Sequence, residues 1–73
     1  MIEIKREEWS HEPGPYGKPV ITMNCLACGR QIRMQNHKVQ DNGYLWPSVC
    51  CPHVGCKFHG FIELLGWDPN AYK

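Results

Sequence analysis

Two five-residue stretches carry side chains able to bind a metal: Cys25-Leu26-Ala27-Cys28-Gly29 and Cys56-Lys57-Phe58-His59-Gly60. Each places two ligand types three positions apart, with glycine after the second. Two intervening residues let the chain turn so that both side chains reach one ion. The trailing glycine tolerates the positive φ that closes such a turn. Two knuckles of this kind complete a tetrahedral set, so the spacing predicts one structural Zn2+ held by Cys25, Cys28, Cys56 and His59. Cys51 is the alternative to a member of the second pair, because Cys51-Pro52 resembles the Cys-Pro that opens many knuckles, and His53 can stand in for Cys51. Cys50 and Cys51 are adjacent, and adjacent ligands on one ion strain the backbone, so at most one of them binds. Cys50 reads as a core thiol, and His11 and His37 sit in polar stretches away from the cluster.

Four ligands close the coordination sphere, whereas a catalytic zinc keeps a position open for water. The sequence has neither a His-Glu-x-x-His pair nor the His-x-Glu of zinc deaminases. The expectation is therefore no catalytic residue and no small-molecule substrate.

A chain of 73 residues buries little apolar surface, and a domain of that size usually needs a metal or disulfides as a staple. Five cysteines, an odd number, and no apolar leader at the N-terminus favour metal over disulfides. No apolar run has the length of a membrane span. The expected location is the cytoplasm, with no membrane partner. The net charge is +1 but unevenly spread. In residues 1–12, Glu3, Glu7, Glu8 and Glu12 oppose Lys5 and Arg6. In residues 13–57, Lys18, Arg30, Arg33, Lys38 and Lys57 oppose Asp41 alone. That balance suits a protein partner better than tight, nonspecific DNA binding, which needs many phosphate contacts.

The elements that must position the ligands are short. Residues 1–19 read as a flexible N-terminal arm, with alternation at Ile2 and Ile4, followed by a Pro/Gly loop. Residues 20–67 form the metal-binding domain, and 68–73 a frayed tail. Val20 to Met23 and Gln31 to Gln35 predict a hairpin with Cys25 and Cys28 at its tip. Asn42-Gly43 predicts a tight turn, and Phe61 to Leu65 a strand or one helical turn. The fold class is a small β-rich zinc ribbon: two knuckles, short antiparallel strands and little helix. Trp46 and Trp67 are expected to flank the metal and close the core. Trp9, Tyr16 and Tyr72 are candidate contact anchors, Trp9 being equally a core candidate. Arg30 and Arg33, beside the first knuckle, are candidate partner contacts, with Lys38 downstream. The strands near residues 1–5 and 20–24 offer edges to a partner segment.

The Cys-x-x-Cys-Gly hairpin, the approach Pro47-Ser48-Val49 and the run from Cys56 to Ile62 are similar to small zinc-ribbon proteins of phages and bacteria, over roughly residues 20–67. The extra Cys50-Cys51 departs from that pattern. Taken whole, the short acidic-armed chain also resembles small transcription regulators of lytic phages that bind host RNA polymerase. That resemblance implies a non-catalytic regulator, in the host cytoplasm, that alters initiation or termination, antitermination included. A nucleic-acid-binding ribbon using Arg30, Arg33, Lys38 and exposed aromatics is the alternative.

Overall fold

The computed structural model describes residues 1–72, the side chain of Tyr16 excepted; the contact role expected of Tyr16 and the end of the tail at Lys73 lie outside the described residues. The described strands are β1 (Ile2–Ile4), β2 (Trp9–Pro13), β3 (Pro19–Asn24), β4 (Gln31–Met34), β5 (Lys38–Val39), β6 (Leu45–Trp46), β7 (Val49–Cys50), β8 (His59–Gly60) and β9 (Ile62–Leu64). Single 3-10 turns at Arg6–Glu8 and Pro15–Gly17 are the only helical pieces among the described residues. Among the described residues, no helix is long and apolar enough to cross a membrane. The molecule is a small, strand-rich fold consistent with a zinc ribbon.

The expected first hairpin is present. β3 pairs with β4 from Ile21↔Met34 to Asn24↔Gln31, and alternation turns Ile32 and Met34 inward. The Asn42-Gly43 turn also forms: Gly43, at φ 90, donates its amide to the Gln40 carbonyl at 2.8 Å and joins β5 to β6. Of residues 61–65, Ile62–Leu64 form a strand, β9.

Residues 1–19 are not a free arm. β1 pairs in parallel with β9, and β2 adds an antiparallel strand to β3 from Trp9↔Met23 to Pro13↔Pro19. The physical reason lies in two side chains. Ile4 and Trp9 are buried in the core, and the Trp9 indole N–H finds the Leu65 carbonyl at 3.1 Å, so the ring buries its apolar area without orphaning its donor. Arg6 lies over the same ring at 4.2 Å, a cation–π contact. The Pro/Gly stretch is the β2–β3 turn. There a Cβ on Gly14 would sit 2.6 Å from the Lys18 carbonyl oxygen.

The tail through Tyr72 is also docked. Tyr72 stacks on Trp67 with an interplanar angle of 9°, and its hydroxyl shares a 2.7 Å hydrogen bond with His11 Nδ1. Trp67 meets Trp9 and His11, so it closes the fold beside β2. Trp46 departs from its expected core position. It follows the inward Leu45 in a two-residue strand, and alternation leaves it 57% exposed.

A single bridge, Tyr44↔Glu63, connects the β5–β6 hairpin to the β1–β9 pair. Beyond it the chain kinks at Pro47, and β7 then pairs with β8 through Val49↔Gly60 and Cys50↔His59. These two hairpins, β3–β4 and β7–β8, carry the ligand-bearing turns.

Candidate metal centre

Cys25, Cys28, Cys51 and Cys56 bring their sulfurs within 4.8 Å of one another. Cys25 ends β3. Its amide takes the Arg30 carbonyl at 2.7 Å, and its own carbonyl accepts the Gly29 amide at 2.9 Å. Gly29 adopts φ 74, as the trailing glycine of a knuckle must. Cys51 follows β7, donating its amide to Phe58 at 3.0 Å, while the Cys56 amide reaches the His53 carbonyl at 3.1 Å. Gly55, at φ 85, makes this second turn.

The two turns share a local device. Sulfur of Cys25 accepts the amide of Ala27 at 3.4 Å and that of Cys28. Sulfur of Cys51 accepts the amide of His53, and sulfur of Cys56 that of Phe58. Amide donors aimed at sulfur favour thiolate over thiol and fix the direction in which it points. Between knuckles, the Cys25 and Cys56 sulfurs lie 3.6 Å apart, and those of Cys28 and Cys51 3.7 Å apart. A disulfide would need about 2.05 Å. A tetrahedron with metal–sulfur bonds of about 2.3 Å has edges of about 3.8 Å. The four thiols thus fit a tetrahedral ion that prefers sulfur, and they can hold one.

Electrostatics within the cluster are uneven. Burial acts to raise the Cys25 thiol but is outweighed by the amides of Cys28 and Ala27 and by the thiols of Cys56 and Cys28; the net result is a pKa of about 6. Burial pushes Cys51 up to about 12 against the lowering pull of the His53 amide, with the neighbouring thiols adding to the rise. Cys56 is lowered by the Phe58 amide, yet burial and the nearby Cys25 and Cys28 leave it raised on balance. Without a cation, one thiolate in the group suppresses ionisation of the others.

His59 is the expected ligand that the structure places elsewhere. It lies on β8 opposite Cys50, and both side chains are exposed. Strand alternation explains this. Cys50 and His59 form one outward cross-strand pair, so the next pair, Cys51 and Phe58, faces inward. His59 instead shares a 2.6 Å hydrogen bond with Ser48 Oγ. Its following glycine is no knuckle residue either. Gly60 pairs with Val49, and a Cβ there would lie 2.9 Å from the Ile2 side chain. His53 donates from Nε2 to the Gln31 carbonyl at 2.8 Å, tying the second knuckle to the base of the first. Cys50 is a surface thiol and not the core residue its type suggested.

The expected partner contacts divide. Trp9 is buried and belongs to the core. Arg33 is exposed and pairs with Glu12 at 2.9 Å. Arg30 is exposed and, with Lys57, lines a cleft of about 330 Å³ beside Cys28 and Cys56. Sequence reasoning passed over Phe61, which is 51% exposed; its signal was the odd-numbered outward phase set by Ile62 and Leu64.

No family model, curated protein or solved structure matches the chain.

Proposed function

We propose that this protein is a non-catalytic binding module stapled by one structural zinc ion, and that it regulates transcription by binding a bacterial RNA polymerase. The observation carrying the first part is the closed set of four sulfurs, all within 4.8 Å. A set of that kind selects zinc or iron–sulfur chemistry, and a mononuclear site with four protein ligands leaves no position for a reacting water. What remains for function is the outer surface, which carries exposed apolar residues and charges of both signs. The polymerase and the effect on initiation or termination rest on the resemblance of the whole chain to small phage regulators. If the chain is phage-encoded, its place of action is the host cytoplasm.

The test is co-elution of the zinc-loaded chain with purified bacterial RNA polymerase, followed by transcription from a promoter template with an intrinsic terminator. The reading predicts a stable complex and altered initiation or read-through. Separate elution and unchanged transcripts contradict it.

One observation favours a second reading, nucleic-acid binding. Arg30 and Lys57 converge on the cleft between the knuckles. Affinity for an oligonucleotide would then fall steeply with salt and disappear in R30A/K57A. Arg33 contributes less to this reading than its sequence position suggests, because Glu12 neutralises it.

A further inference from the structure

Three of the five large apolar side chains exposed among the described residues fall in one row. The register Ile2↔Ile62 places Met1 beside Phe61. Tyr44↔Glu63 is an isolated bridge; Trp46 and Phe61 each stand two residues from it along their own chains, in the same alternation phase, and Lys38 is the register partner of Trp46. Met1 is 62%, Phe61 51% and Trp46 57% exposed. The row therefore runs Met1 and Phe61, just before β1 and β9, then Trp46 on β6 and Lys38 on β5, in the alternation phase opposite the buried Ile62 and Leu45. A lone exposed aromatic needs no explanation, but three large apolar residues aligned across adjacent strands form a patch, and patches mark interaction sites.

The neighbouring outward row is acidic. Glu3 and Glu63 are direct register partners, and Tyr44 and Gln40 continue the row. Like charges directly opposite on one sheet face repel. Neither carboxylate belongs to an ion pair among the described residues, where Arg33–Glu12 is the one salt bridge. A cation supplied from outside would relieve the repulsion.

We propose that this face docks a protein segment whose apolar ridge is flanked on one side by lysine or arginine. The ridge covers Met1, Phe61 and Trp46, and the basic flank meets Glu3 and Glu63. Charge complementarity selects this occupant over single-stranded nucleic acid, for which the aromatics offer stacking platforms but the carboxylates repel the phosphates. The inference deepens the protein-binding function proposed above, since the segment would belong to the polymerase. It does not use the knuckle end, where the two other exposed apolar residues, Leu26 and Val54, reside.

The experiment compares the full zinc-loaded chain with W46A/F61A, E3K/E63K and the knuckle control L26A/V54A. Unchanged zinc content and circular dichroism establish that each variant is folded. Against purified RNA polymerase, the two face variants are expected to lose at least about tenfold in affinity, as hot-spot aromatics and desolvated charge pairs do, and L26A/V54A to bind like wild type. If polymerase binds all four chains equally, this face is overturned while the polymerase reading stands. If wild type does not bind polymerase, the polymerase reading falls, and the face is read with an amphipathic leucine–lysine helical peptide. Tighter binding of that peptide than of its leucine–glutamate counterpart, lost in W46A/F61A, supports the face; equal binding of the two peptides overturns it. Trp46-dependent binding of oligothymidylate, or Trp46-dependent self-association in sedimentation, overturns the proposed occupant.

Discussion

Replacing Cys51 by serine and, separately, His59 by alanine separates the two ligand sets that the sequence allows. Structural zinc supplies an apparent 10–16 kcal/mol in small zinc-dependent folds, roughly the range for this kind of site. Shared among four ligands, that is a factor on the order of 10²–10³ in metal affinity for each. Small domains hold only about 0.05–0.15 kcal/mol per residue of net stability, so a chain of 73 residues cannot lose a ligand unnoticed. C51S should weaken zinc binding by that factor and unfold much of the chain at limiting zinc. His59 is exposed, and among the described residues its side chain bonds to Ser48 alone. Removing one such bond costs about 0.5–1.5 kcal/mol, so H59A should keep one zinc per chain and melt within several degrees of wild type. Competition with a chromogenic chelator gives the affinities, and circular dichroism gives the melts. If H59A loses zinc while C51S retains it, the assignment from strand alternation is wrong.

Zinc uptake should release protons. Cys51 and Cys56 are raised in the metal-free cluster, so both are protonated at neutral pH and must ionise to bind. At least two protons should therefore appear in a weakly buffered indicator titration, and apparent zinc affinity should rise at least about a hundredfold per pH unit near neutrality. Below about pH 6, where Cys25 also takes up a proton, the dependence should steepen; a pH-independent affinity would contradict the thiol cluster. Trp9→Ala should cost about 3–5 kcal/mol, as loss of a buried tryptophan does, measured by urea denaturation at saturating zinc; a loss below about 1 kcal/mol would mean that residues 1–13 do behave as an arm. Gly43→Ala should destabilise the β5–β6 turn, because φ is 90 and an added Cβ meets the Leu64 backbone; wild-type thermal stability in that variant would refute the turn geometry.

The first knuckle was legible because its chemistry is local. Cys25, Cys28 and Gly29 lie within one turn, and the hairpin below them alternates cleanly. The second knuckle was misread for the opposite reason. Cys56-x-x-His59-Gly60 imitates the first in spacing, but spacing alone ignores strand phase. β7 and β8 are two residues each, too short to show a period, and only their pairing reveals that Cys50 and His59 point out while Cys51 points in. The parallel partnership of β1 with β9 is equally invisible, since it joins segments about sixty residues apart with no turn to signal it. Trp9, open to either role, went to the core, and Trp46, expected there, went to the surface, because tryptophan is common both in cores and at interfaces. The deciding facts, an acceptor at Leu65 and a strand phase set by Leu45, are tertiary.

The central claim is a closed site of four thiolates, and X-ray absorption at the zinc edge of the purified, zinc-loaded chain tests it most directly. The account predicts one zinc per chain with four sulfur scatterers at about 2.3 Å and no imidazole signature. Three sulfurs with one nitrogen near about 2.0 Å, or a folded chain that takes up no metal, would contradict it.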